Sequence, residues 1–205
     1  MVGSSFAKSI SYSLNIPVIP VNHMQAHILS VFIDDNEKKP EFPFIALTVS
    51  GGHTQLVLVK NYLEFVQIGT TLDDAAGEAF DKCAKIMGLG YPGGPAIEKA
   101  ARQGDPGAIL LPRPLKGADH CHFSFSGLKT ALANRLKQLG GVEQAPLNDL
   151  AASLQAAIAD CLADRSHKAR QQFATNYLAN SPDTQPVLVI AGGVAANKYI
   201  FAKLA

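Results

Sequence analysis

Two histidines one helical turn apart, His23 and His27, are the first residues in this chain with the types and spacing of a metal site. On a helix, positions four apart share a face, so both imidazoles can reach one ion. The bland alternative is a chance pair near a helix start. The zinc-peptidase pattern H-E-x-x-H puts a glutamate after its first histidine as general base. Here that position is Met24, whose thioether cannot take a proton from metal-bound water, so the spacing allows a metal while the peptidase mechanism lacks its base.

Four further constellations carry chemical potential. In Thr48-Val49-Ser50-Gly51-Gly52-His53-Thr54, a glycine turn between strands lets backbone amides approach an anion, and Ser50 and Thr54 add hydroxyl donors. A plain hairpin turn is the competing meaning. Asp73, Asp74, Glu78 and Asp81 crowd the start of an expected helix. Carboxylates there suit the helix dipole, but Asp81 lies past the first turn, and Asp74, Glu78 and Asp81 are spaced to share a face that could bind ribose hydroxyls or a magnesium-bound phosphate. Ala191-Gly192-Gly193-Val194-Ala195-Ala196-Asn197 follows a buried-type strand, a recurring phosphate or nucleotide arrangement, though it is not G-x-G-x-x-G. In Phe123-Ser124-Phe125-Ser126-Gly127-Leu128-Lys129-Thr130, the Ser-Gly pair can cap a helix, and Lys129 with Arg113 offers positive charge beside aromatics, as RNA or phosphate would want. The competing meaning is an aromatic core pair and a solvated lysine. The Ser126-x-x-Lys129 spacing of β-lactamases stands without their other elements.

The elements that must position these residues are legible in outline. Val2, Phe6, Ile10 and Leu14 predict a helix over 2–14; Ile16–Val21 reads as a short proline-bearing strand; Asn22 is a fitting N-cap for a helix carrying both histidines. After a polar loop over 34–43, strands are expected at 44–49, 54–59 and 65–69, then a helix over 73–87. A glycine- and proline-rich stretch runs over 88–126, interrupted by a helix at 96–102; connections this long are usually functional. Helices are expected at 127–139 and 147–178, a strand at 186–191, and a helix from about 195. The 205 residues, 47% hydrophobic, can bury a real core, and a net charge of +1 advertises no broad nucleic-acid field. Three widely spaced cysteines exclude a disulfide framework and a Cys-based zinc knuckle, and point to a reducing, cytoplasmic setting. No apolar run is long enough for a membrane span, no signal-peptide order opens the chain, and both ends break off inside helical patterns.

Taken together, His23 to His27, Val49 to Gln55, Asp73 to Lys82, Tyr91 to Pro95, Phe123 to Thr130 and Ala191 to Asn197 resemble, in order, the motifs of the TsaD family of tRNA N6-adenosine threonylcarbamoyltransferases, long labelled O-sialoglycoprotein endopeptidases. The resemblance implies an α/β fold of the actin-like ATPase, sugar kinase and heat-shock ATPase (ribonuclease H-like) type. Residues 1–42 would be a remnant of a first lobe and 43–205 most of a second, with a helical insertion at about 88–145. It implies transfer of threonylcarbamoyl from its adenylate to adenosine 37 of tRNAs reading codons that begin with A, releasing AMP. It implies one divalent metal on His23 and His27, iron or else zinc, with magnesium as a further candidate. Substrate contacts would come from Thr48, Val49, Ser50, Gly51, Gly52, Asp81, Gly94, Glu98 and Asn197. Partners would be tRNA and TsaB-like and TsaE-like proteins. A third metal ligand, an aspartate, is expected beyond Ala205, so the chain reads as a fragment inactive by itself. A non-catalytic actin-like partner subunit and the older endopeptidase label are the alternatives.

Overall fold

A computed structural model describes residues 2–33, 39–177 and 186–205. The expected polar loop falls partly outside these residues (34–38), as does Leu178 of the expected long helix. Eleven elements follow in chain order among the described residues: α1 (Val2–Leu14), α2 (His23–Leu29), β1 (Phe44–Val49), β2 (Thr54–Val59), β3 (Phe65–Thr70), α3 (Ala76–Ile86), α4 (Gly93–Ala101), α5 (Ser126–Gln138), α6 (Leu147–Tyr177), β4 (Leu188–Ala191) and α7 (Lys198–Leu204).

One mixed sheet organises them, in the order β3-β2-β1-β4. β1 pairs antiparallel with β2 and parallel with β4, so β4 arrives by a crossover through the helices. Side chains alternate across a strand, and β1 buries both faces. Ile45, Leu47 and Val49 join Leu56 and Leu58 beneath α3, α5 and α6; Phe44 and Ala46 join Val57, Val59 and Ile28 of α2 on the other side. A strand covered on both faces reads as an unbroken apolar run, which is why its type was legible.

α1 forms over the expected span and closes with Asn15 in the left-handed region, where the Ile16 N–H returns to the Ser11 carbonyl (3.1 Å). Its stripe of Val2, Phe6, Ile10 and Leu14 buries none of its members. Ile16–Val21 is not a strand: it is an exposed coil, because Pro17 and Pro20 have no N–H to give a ladder. Asn22 caps α2 as expected, accepting from the N–H groups of Met24 (3.0 Å) and Gln25 (3.2 Å).

The glycine- and proline-rich stretch is a strap laid along α6, not a free loop. Asp149 accepts the Asp105 N–H (2.9 Å), Ser153 accepts the Ile109 N–H (3.2 Å), Asp160 takes the Arg113 guanidinium (3.1 Å) and Asp164 accepts the Gly117 N–H (3.1 Å). Buried Arg165 donates to the carbonyls of Ala118 and His120, and Lys168 pairs with Asp119. These α6 residues recur every turn or two along one side, so the irregular chain that follows α4 is fastened at each step. Burial alone would raise the Asp160 carboxyl, but the Lys203 ammonium and the Arg113 guanidinium hold it below the usual carboxylate range. Arg113 is thus committed to Asp160 and the Leu111 carbonyl, correcting the expectation that it and Lys129 form a cationic patch.

Candidate functional site

The turn after β1 is built before anything can bind to it. Ser50 and His53 close a tight turn, Ser50 N–H to His53 carbonyl (2.8 Å), and the Ser50 hydroxyl accepts the His53 N–H (3.1 Å). The Ser50 carbonyl accepts the Gly77 N–H (3.2 Å), and the buried Thr54 hydroxyl accepts the Ala76 N–H (2.9 Å). Thr54 caps α3 from a fully buried position, and it is this burial that keeps its hydroxyl from an incoming anion, while the Ser50 hydroxyl is engaged inside its own turn. The contacts to α3 have one cause: the free N–H groups of a helix start must find acceptors, and the Thr54 hydroxyl and the Ser50 carbonyl are nearest. Gly77 permits the approach, since a Cβ there would lie 2.6 Å from the Ser50 oxygen. Gly192 does the same across the sheet: a Cβ would lie 2.4 Å from the Val49 carbonyl, and its φ of 102° favours glycine.

The acidic cluster separates into three roles. α3 starts at Ala76, not at Asp73. Asp73 instead caps α5: its Oδ1 accepts the N–H groups of Phe125 (2.7 Å) and Ser126 (3.1 Å), and its Oδ2 accepts the hydroxyls of Ser124 (2.6 Å) and Ser126 (2.9 Å). Burial alone would raise the Asp73 carboxyl, but these donors, the Ser124 hydroxyl foremost, outweigh it and hold it below the usual range. The expected Ser-Gly cap at 126–127 is accordingly supplied from 53 residues upstream. Asp74 and Glu78 share the Lys82 ammonium (2.6 and 3.0 Å). Asp81 does not join them. Its Oδ1 accepts the Gly93 N–H (2.7 Å), which fixes the first turn of α4 against α3. α4 itself starts three residues before the expected Ala96.

A cavity of about 330 Å³ opens where these elements meet. Gly51, Asp81, Gly94, Glu98 and Asn197 line it, five of the residues expected to contact substrate. Gly77, Phe80, Pro92, Pro95, Gly193, Val194 and Ala196 complete the wall. Sequence reasoning did not assign roles to these seven. All seven sit inside quoted motifs, but Phe80 and Val194 look like ordinary apolar residues until the walls converge. A 3-10 turn over Gly193–Ala196 delivers Asn197, and α7 begins only at Lys198 rather than at 195. Asn197 Oδ1 accepts the Ile200 N–H (3.0 Å), and Glu98 Oε1 accepts the Lys198 N–H (3.1 Å). Each keeps acceptor capacity to spare. The cavity combines apolar, partly flat walls with two carboxylates and one amide, a balance suited to a nucleoside.

Thr48, Val49, Ser50 and Gly52 lie outside that lining. Thr48 alternates with Phe44 and Ala46, which places it on the α2 side of the sheet, and its buried hydroxyl has no hydrogen-bond partner among the described residues. His23 and His27 are exposed on α2, with ring centroids 4.5 Å apart and planes at 76°. Both are imidazoles of the type that ligates a metal, one turn apart on an exposed face. No group of three His, Cys, Asp or Glu side chains suited to a metal occurs among the described residues. No helix there is long and apolar enough to cross a membrane.

Comparison with known proteins bears on this arrangement. Among solved structures, the activator of 2-hydroxyisocaproyl-CoA dehydratase from Clostridium difficile, with bound ADPNP, matches with a TM-score of 0.51 at 17% identity, over 90% of this chain and 56% of that one. The likeness is one of fold, and the actin-like α/β type expected from the resemblance stands. Curated relatives named tRNA N6-adenosine threonylcarbamoyltransferase include those of Bartonella bacilliformis (47% identical; 98% of this chain, 55% of the relative) and Bartonella tribocorum (48%; 100% and 56%). That of Bordetella avium is 48% identical over 100% of this chain and 57% of its own length. The chain thus spans about half the length of the curated relatives it matches. A family model described as TsaD, tRNA N6-adenosine threonylcarbamoyltransferase, matches residues 1–205. With a cavity that gathers Gly51, Asp81, Gly94, Glu98 and Asn197, this chain belongs to the TsaD family.

Proposed function

We propose that the protein represented by this chain transfers a threonylcarbamoyl group from threonylcarbamoyl-adenylate to N6 of adenosine 37 in tRNAs reading codons that begin with A, releasing AMP. The observation that carries the reading is the convergence of Gly51, Asp81, Gly94, Glu98 and Asn197 on one cavity of nucleoside size. Phe80, Pro92 and Pro95 bound the base, and the unspent oxygens of Asp81 and Glu98 accept from hydroxyl or amino groups of the adenylate. The Ser50–Gly52 turn brings backbone to the mouth of the cavity, where the mixed anhydride lies.

The acyl end extends toward the face of the sheet that carries Thr48 and α2. The unpartnered Thr48 hydroxyl donates to it, and the capped start of α2 holds His23 and His27 for the metal, iron or else zinc. When bound, that ion supplies Lewis-acid polarisation of an acyl oxygen. Magnesium accompanies the phosphate. The family's TsaB-like and TsaE-like proteins are the partners, tRNA is the acceptor, and the setting is the cytoplasm.

The test supplies threonylcarbamoyl-adenylate and unmodified tRNA, then digests the RNA and separates nucleosides. A protein of family length containing this chain, given its partners, is expected to yield threonylcarbamoyl-adenosine, and Asn197→Ala in it to lower the yield at least tenfold. The 205-residue chain alone is expected to yield none, because His23 and His27 are two ligands only. Absence of product from the family-length protein overturns the reading.

A further inference from the structure

α6 carries two sets of polar residues with different partners. Asp149, Ser153, Asp160, Asp164 and Lys168 face the strap and hold it. Gln155 is on the opposite side of the helix, since two residues on from Ser153 is a rotation of about 200°. It is 5% exposed, on a stretch of α6 where Ala151, Ala152, Ala156 and Ala159 are buried as well. A buried primary amide costs more than a hydrocarbon of the same volume unless it is hydrogen-bonded, so a glutamine here needs a reason. Its partner supplies one: Asn197 Nδ2 donates to Gln155 Oε1 at 2.8 Å.

Asn197 is 7% exposed, lines the cavity, and gives its carbonyl oxygen to the Ile200 N–H. A 180° flip of its amide would set an NH2 group against the Ile200 N–H and an oxygen against Gln155 Oε1. Both contacts would become repulsive. The Ile200 N–H, which can only donate, sets the rotation of this amide, and Gln155 Oε1 takes the Nδ2 that this rotation presents, so both ends of the amide are held before any ligand arrives. We infer that Gln155 is a positioning residue for ligand recognition: it acts through Asn197, fixing which atoms of that amide the cavity presents. The inference rests on the nucleotide reading of the cavity given above.

AMP is the probe, titrated by calorimetry into the 205-residue chain and its variants. Gln155→Met, near in volume but without an acceptor, is expected to weaken AMP about five- to tenfold, the size of one positioned hydrogen bond. Gln155→Glu keeps an accepting oxygen and is expected to stay within about twofold of the parent. The deciding measurement is the cycle with Asn197→Ala: in that background Gln155→Met should change affinity by less than about twofold, because the residue through which it acts is gone. Equal weakening in both backgrounds, or none in either, overturns the inference while leaving the nucleotide reading intact. A parent chain that does not bind AMP overturns both. Should Gln155→Met not fold, proton exchange of the Asn197 side-chain amide decides: protection in the parent and in Gln155→Glu is expected, and exchange as fast as that of an exposed asparagine overturns the proposal.

Discussion

Replacing Asp73 by alanine removes a helix cap that comes from a distant part of the chain. Four donors lose their acceptor: the N–H groups of Phe125 and Ser126 and the hydroxyls of Ser124 and Ser126. An ordinary N-cap substitution costs about 0.5–2 kcal/mol. Asp73 stands at the high end because it is charged and also ties the strap to the segment entering α3, but it is exposed, and solvent screening limits the gain. About 1.5–2 kcal/mol is the resulting expectation, or about 3–8 °C in Tm for a chain of this size. Asp73→Asn keeps one accepting oxygen and should lose roughly half as much. The pH dependence has a definite sign. The folded carboxyl titrates below its unfolded value, so its stabilisation is complete above about pH 4 and is lost as pH falls through the folded pKa. Urea unfolding of the parent and both variants at pH 7 and over pH 2.5–5 is the assay. An Asp73→Ala loss under about 0.5 kcal/mol at pH 7, or a gap between parent and Asp73→Asn that widens toward low pH, would refute the reasoning.

Three further outcomes follow from the same geometry. Gly77→Ala should displace the Ser50–Gly52 turn, because its Cβ would stand 2.6 Å from backbone oxygen; about 1–3 kcal/mol of stability and at least tenfold in AMP affinity should go together, measured by urea unfolding and calorimetry. Thr54→Val should cost about 2 kcal/mol by leaving the Ala76 N–H buried without an acceptor, and Thr54→Ser should restore most of it in the same unfolding assay. Burial pushes the Cys83 and Cys161 thiols up to about 12, so at pH 8 iodoacetamide should modify them, read by mass spectrometry, only at the rate at which the chain opens.

Much of the frame was legible because its signals are local. β1 and β2 are apolar runs around a glycine turn, α2 has a capping asparagine, and α6 has its stripe from Leu147 to Leu162. The readings that failed were decided by missing backbone donors or by distant partners. Ile16–Val21 has strand-like side chains but prolines where a ladder needs donors. Asp73 looks like the first turn of α3 until the start of α5, 53 residues away, takes its carboxylate. Arg113 looks like a free cation until Asp160 on α6 is beside it.

The site divides in the same way. Residue types and order within the chain determined the family motifs, the pair at His23 and His27, and the candidates Gly51, Asp81, Gly94, Glu98 and Asn197, because spacing along one helix or one turn is written in the chain. Tertiary structure decided which of these share a cavity. It also decided that Thr48 belongs to the other face of the sheet, that Thr54 is buried as a cap, and that Gln155 faces the amide of Asn197. The physical reason is that hydrogen-bond capacity is finite. A side chain's chemistry is known from its type, but what it has left for a ligand depends on which buried donors and acceptors the fold brings to it first.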